Sequence, residues 1–278
     1  MNGMLIGDEP LDLALTLMDS AQCFVWVKTE AGYGTVLDGQ GVLLRSGERG
    51  IEAEGDVDVQ TLRRYLDLDR DYGAVALEYD TIPQARLAMK QLPGLRVLNQ
   101  PAWDALVSFI LSANNNVRRI RNLVHGLCER FGAERTLLGI PLYGMPPAQV
   151  LADVPESKLR EMGMGYRAPF LIQSARAVAE GFPLSGLCRM PYEEAHRMLK
   201  TLPGVGDKVA DCVLLFGCGR TEAFPVDVWV ERLLREWFGL SCTSRRELAS
   251  RARTLLGAHA GLLQQFLFHA ARTGAIAL

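Results

Sequence analysis

The chain has 278 residues, of which 49% are hydrophobic and 22% charged. This is the mix of an ordinary globular protein, and no apolar run approaches the ~18–20 residues that cross a bilayer, which excludes a membrane-spanning class. The formal charge of −2 hides an asymmetry: residues 1–90 hold 8 Lys/Arg against 16 Asp/Glu, whereas residues 91–278 hold 22 against 16, so an anionic partner is expected on the second portion.

The first residues, MNGMLIGDEPLD, carry acids and no basic n-region; they do not read as a signal peptide, and a cytoplasmic protein is expected. Residues 22–55 read as β. CFVWVK is rich in strand formers, and Asp38-Gly39 lies between two apolar runs as a hairpin turn. Further turns fall at Gly47 and Gly50. Beyond Asp58 the spacing of Leu62, Tyr65 and Leu66 turns helical. From Asn99 the chain reads as helix almost throughout. Trp103, Leu106, Val107, Ile110 and Leu111 share one apolar face, and Val117, Ile120, Leu123, Leu127 and Phe131 another. Later helices are expected near 147–153, 156–162, 168–181, 192–201, 207–218, 226–238, 245–257 and 259–274. The fold class is α+β: an N-terminal antiparallel β-sheet domain with helices over 1–95, then an all-helical region over 96–278 in two subdomains.

Six cysteines (Cys23, Cys128, Cys188, Cys212, Cys218, Cys242) form no C-x-x-C pair, and the four histidines are scattered. Reduced, mostly buried thiols are expected, with no zinc site and no iron–sulfur cluster.

The stretch that carries chemistry is LKTLPGVGDKVADCVLLFGCGRTEAFPVDVWVERLL, residues 199–234. Pro203 and two glycines break one helix, and a second starts at Asp207. Gly204 and Gly206 permit positive φ and a close approach of backbone to an anion, and the N–H groups of the second helix point at it. Such a contact reads phosphate and not base sequence. The same hairpin also suits a plain αα-turn. Lys208 lies in the first turn, where partial burial would free its amine as a nucleophile; a solvated surface lysine is the bland alternative. Asp227 follows Pro225 at a helix entrance. It reads as an N-cap or as a carboxylate placed beside a cationic transition state.

With Lys208 and Asp227, this hairpin resembles the helix-hairpin-helix DNA glycosylase superfamily. Ser112-Ala-Asn-Asn-Asn116, Met164-Gly-Tyr-Arg-Ala168, Ser185–Lys200, Lys208-Val-Ala-Asp-Cys212 and Gln22-Cys-Phe-Val-Trp26 resemble its 8-oxoguanine branch, and the likeness runs from about residue 10 to 274. The resemblance implies a bifunctional glycosylase/AP lyase acting on double-stranded DNA that contains oxidised guanine. Lys208 would attack C1′ and form a Schiff base, with Asp227 supporting the positive charge and the base flipped from the stack. Cys212 and Phe268 would sandwich that base. Gln264 would bond its Watson–Crick edge, with Gln265 as the rival in register. Ala21 matches a family glycine whose carbonyl senses the hydrogen that N7 gains on oxidation. Asn114, Arg119 and Arg167 would contact the widowed cytosine, and Tyr166 would wedge into the gap. The carbonyls of Lys200, Leu202 and Val205 would hold a monovalent sodium or potassium ion, with no other cofactor required. Trp229 stands where the best-known members carry His, a departure expected to affect rate or product release. A monomer is expected, with no membrane partner. The rival readings are an alkylpurine glycosylase of the same superfamily, which typically uses the Asp without the Lys, and a non-enzymatic DNA-binding module.

Overall fold

A computed structural model describes residues 3–276; the outer ends of the expected 1–95 and 96–278 segments lie outside the described residues. Strand β1 (Met4–Gly7) is followed by a π-helical turn, Leu15–Asp19. Then come β2 (Val27–Thr29), β3 (Gly32–Leu37), β4 (Gln40–Gly47) and β5 (Gly50–Gly55). They form a five-stranded antiparallel sheet in the order β1-β5-β4-β3-β2. Asp38 and Gly39 join β3 to β4 with φ of 48° and 77°, the pair of positive values that a two-residue hairpin turn needs. Helices α1 (Val59–Tyr65), α2 (Tyr72–Glu78) and α3 (Pro83–Gln91) complete this portion. Asp58 and Asp71 cap the first two, accepting the N–H groups of Thr61 and Ala74 at 3.0 Å.

The helical portion holds α4 (Ala102–Ser112), α5 (Val117–Phe131), α6 (Ala148–Ala152), α7 (Glu156–Glu161), α8 (Arg167–Ala179), α9 (Tyr192–Leu199), α10 (Asp207–Cys218), α11 (Val228–Phe238), α12 (Arg245–Leu256) and α13 (Ala260–Thr273). Each later helix lies within a few residues of its expected span. One buried apolar cluster runs from Ile6 of β1 to Ala271 of α13. Helix α10 packs on α4, and α13 packs back on α3, so the last helix closes over the acidic first portion. No helix among the described residues is long and apolar enough to cross a membrane.

Three expectations need correcting. Cys23–Trp26 is a loop and not a strand. All four residues are buried, and Trp26 Nε1 donates to the Tyr65 hydroxyl at 2.9 Å. Strand propensity describes residues that suit a half-buried pleat, and a segment buried on every side satisfies it without pairing. The helical run is interrupted by a hairpin of β6 (Glu134–Leu137) and β7 (Ile140–Tyr143). It turns at Leu138-Gly139, both with positive φ, and Leu142 packs with Val36 and Leu43 of the main sheet. Finally, Cys188 and Cys218 are joined by a disulfide with a Cα–Cα distance of 4.7 Å. The 3₁₀ segment Leu184–Arg189 brings Cys188 to the C-terminal end of α10, a proximity that spacing in sequence does not reveal.

Candidate active site

Helix α9, the turn Lys200–Gly206 and α10 form the hairpin. Gly204 has φ of 80°, and a Cβ there would lie 2.7 Å from Cβ of Phe170, so both conformation and space demand glycine. Gly206 is different: its φ of −96° is open to any residue, and a Cβ would meet nothing within 4 Å. Its backbone faces open space at the start of α10, as an anion-binding turn requires. Neither the Lys200 nor the Val205 carbonyl accepts a hydrogen bond from a described residue, whereas that of Leu202 accepts the Val205 N–H at 3.2 Å.

Lys208 is half-buried in the first turn of α10. Its Nζ donates to Ser112 Oγ at 2.8 Å and lies 4.9 Å from the centroid of the Phe109 ring. Ser112 Oγ in turn donates to the Phe109 carbonyl at 2.7 Å, so the lysine is aimed by the end of α4. Asp227 caps α11, its Oδ1 accepting the N–H groups of Trp229 and Val230, each at 2.9 Å. Among the described residues it forms no ion pair with Lys208. The two residues instead share the walls of one cleft of 920 Å³, together with Gly204, Gly206, Asn114 and Trp229. Trp229 and Val228 are exposed at its edge.

Residues one face round from Lys208 line the same cleft and were missed as candidates. The Asp211 carboxylate accepts the Tyr192 hydroxyl, and His196 Nε2 lies 3.9 Å from both Asp207 and Asp211. Burial pushes the Asp211 carboxyl up to about 7, with the Tyr192 hydrogen bond opposing. The i, i+4 spacing of the two aspartates was a usable signal; their partners come from α9 by tertiary packing.

The Asn triplet divides its labour. Asn116 caps α5 through the Arg119 N–H at 2.9 Å, and Asn115 Nδ2 donates to the Leu111 carbonyl at 3.0 Å. Asn114 is exposed with φ of 50°, and its side chain bonds no described residue. Arg167, 4% exposed, donates to the carbonyls of Ala113 and Asn114 and lies over the ring of Tyr166. The Tyr166 hydroxyl donates to the same Ala113 carbonyl at 3.1 Å, and Arg119 donates to that of Gly163 at 2.8 Å. These four residues are thus brought together, with the two guanidiniums engaged by backbone.

Cys212, Gln264, Phe268 and Ala21 lie outside the cleft lining. Cys212 is buried one turn after Lys208, and burial pushes its thiol up to about 12, with Lys208 opposing; it is a neutral, polarisable contact and not a thiolate. Gln265 donates to the Ser20 carbonyl at 2.7 Å, whereas the buried Oε1 of Gln264 has no partner among the described residues. An orphaned buried acceptor costs about 1–3 kcal/mol, so the register favours Gln264 as the residue kept free for a ligand. Phe268 is half-buried, 5.9 Å from the Arg272 guanidinium carbon. Ala21 has φ of 61°, which costs an L-residue with a Cβ roughly 1–2 kcal/mol. No described residue donates to its carbonyl.

Residues 107–257 match the family model of the HhH-GPD superfamily base excision DNA repair protein, and residues 4–106 that of the 8-oxoguanine DNA glycosylase, N-terminal domain. The chain belongs to the HhH-GPD superfamily. The HhH-GPD match contains the hairpin, Lys208 and Asp227. A probable N-glycosylase/DNA lyase of Methanothermobacter thermautotrophicus is 30% identical over 94% of this chain and 86% of that protein. The N-glycosylase/DNA lyase of Saccharomyces cerevisiae is 35% identical over 63% of this chain, a stretch that spans only half of the yeast protein. The structure is similar to that of the Clostridium acetobutylicum 8-oxoguanine glycosylase/lyase bound to double-stranded DNA with cytosine opposite 8-oxoG. The TM-score is 0.89 and the identity 28%, over 96% of this chain and 94% of that one.

Proposed function

We propose that this protein is a bifunctional DNA glycosylase/AP lyase that removes 8-oxoguanine, preferably opposite cytosine, through a lysine Schiff base. The observation that carries the reading is the placement of Lys208: a half-buried amine, aimed by Ser112, on the cleft that Asp227 shares. The Lys208 amine attacks C1′ of the flipped nucleotide. The N-glycosidic bond breaks, and the base leaves with the electron pair and takes up a proton. The C1′–O4′ bond of the resulting aminal then breaks, O4′ takes up a proton as the ring opens, and an iminium is left at C1′. Removal of a C2′ proton then expels the 3′ phosphate by β-elimination. The Asp227 carboxylate, fixed at the positive end of α11, offsets the charge that develops on the sugar.

The hairpin N–H groups would grip the phosphates flanking the lesion. The open carbonyls of Lys200 and Val205, with a free lone pair on Leu202, suit a sodium or potassium ion that would stiffen the turn. The flipped base would lie between Cys212 and Phe268 with its amide edge on Gln264 and its N7 hydrogen on the Ala21 carbonyl. Asn114, Arg119 and Arg167 would face the widowed cytosine, with Tyr166 in the gap. For the two arginines this requires exchanging backbone carbonyls for the base. The protein would act as a monomer in the cytoplasm, without an iron–sulfur cluster.

Borohydride added during reaction with a duplex carrying 8-oxoguanine opposite cytosine should trap a covalent protein–DNA adduct. Lys208→Gln should abolish trapping and leave DNA binding intact. Persistent trapping would move the nucleophile elsewhere; release of 3-methyladenine with no action on 8-oxoguanine would establish the alkylpurine reading; tight lesion binding without turnover would establish the non-enzymatic one.

A further inference from the structure

The carbonyls of three successive residues, Met18, Asp19 and Ser20, each accept a side-chain donor from far along the chain. Arg121 of α5 donates through Nη2 to Met18, Arg272 of α13 through Nη2 to Asp19, and Gln265 of α13 to Ser20 at 2.7 Å. The next residue is Ala21, in the left-handed region without the glycine that makes that region easy. The residue after it is anchored as firmly. Gln22 Nε2 lies within hydrogen-bond distance of the Thr16 and Arg96 carbonyls and of Ser20 Oγ, and Oε1 accepts the Leu98 N–H at 2.9 Å. Its own carbonyl accepts from Gln100 at 2.7 Å. Ala21 therefore sits between two fixed peptides. A strained φ persists where its surroundings over-determine it, and bonds from a guanidinium are stronger than neutral ones.

We propose that Arg121, Arg272 and Gln265 form a positioning clamp that fixes the Ala21 carbonyl for reading the oxidised base. Tertiary bonding here does the work that a glycine does by conformational freedom. Arg272 lies beside the ring of Phe268, proposed above to stack on the base, as well as on Asp19. The inference rests on the proposed function, since the carbonyl matters only if oxidised guanine is the substrate.

The test compares single-turnover excision of 8-oxoguanine opposite cytosine with strand cleavage at a preformed abasic site, which needs Lys208 but no base reading. Arg121→Ala and Arg272→Ala should each slow excision about tenfold, the loss of one charged hydrogen bond. Both should cut abasic DNA at the wild-type rate. Arg272→Lys, which keeps a cationic donor, should recover most of the excision rate. Adding Ala21→Gly to Arg272→Ala should deepen the defect, because a glycine released from the clamp samples more conformations. Equal losses on both substrates would reduce the arginines to general fold support and overturn the clamp, as would Arg variants with unimpaired excision. A wild-type protein that cleaves abasic DNA but leaves 8-oxoguanine in place would overturn the proposed substrate itself, and the clamp with it.

Discussion

Asp104 lies in the first turn of α4 with 8% of its surface exposed. Burial pushes its carboxyl from an ordinary 3.8 up to about 7, and the charge of Asp38 adds to the rise. The folded state therefore keeps a proton that the unfolded chain has lost across the window from about 4 to 7, and stability must fall as pH rises through it. Asp104→Asn keeps the shape and removes the ionisation. Its melting temperature should exceed that of the wild type at pH 8, and the difference should shrink toward zero near pH 4. An equal difference at both pH values would show that ionisation is not the cost. At this same scale the sequence was partly readable. Lys208 and Asp227 stood out by their helix-start positions, their catalytic roles came only from the resemblance, and both line the cleft. Ser112 was quoted only within a motif, because its role depends on where α4 ends relative to α10. Gln264 and Gln265 looked alike and both are buried; only their bonding separates them.

Between elements, the disulfide has the clearest consequence. It ties the 3₁₀ segment before α9 to the C-terminal end of α10, closing a loop of 30 residues in sequence that contains the whole hairpin. A cross-link of this span contributes about 2–4 kcal/mol, chiefly by restricting the unfolded chain. Cys188→Ser in the oxidised protein should lower the melting temperature by several degrees, with little change in abasic-site cleavage, since the bond lies at the far end of α10 from Lys208. No change in melting temperature would show that the bond does not form in solution. Helix positions were legible here because amphipathic spacing and Pro/Gly breaks are local signals. The β6–β7 hairpin was not, because the first of its two positive-φ turn residues is Leu138, which carries no turn signature, and its strands owe their pairing partly to Leu142 packing on the main sheet. The buried Cys23–Trp26 loop failed for the opposite reason: its composition suits a strand, but its contacts are with side chains from α1, α4, α5 and β3.

Over the whole molecule, charge is segregated, with a net −8 on residues 1–90 and +6 on residues 91–278. The cationic portion carries the hairpin and the cleft. Binding to undamaged duplex should therefore weaken steeply with salt, with log K falling against log[salt] by about 0.9 for each phosphate neutralised. Arg246→Ala, on the cleft wall contributed by α12, should lower that slope by about one. An unchanged slope would place the DNA elsewhere. The two-part architecture was legible because β-type and helical patterns occupy separate stretches. The single core running through both parts was not, since it depends on α13 folding back.

That return of α13 fixes an order of events during synthesis. The hydrogen bonds from Gln265 to Ser20 and from Arg272 to Asp19 span 245 and 253 residues. A nascent chain released as far as α12 already contains the hairpin, its lysine and the capping aspartate. It lacks Gln264, Phe268 and two of the three donors proposed to set Ala21, Gln265 and Arg272. On the proposed roles, the apparatus for cutting the sugar is encoded ahead of most of the apparatus for judging the base, and selectivity would be complete only once α13 emerges.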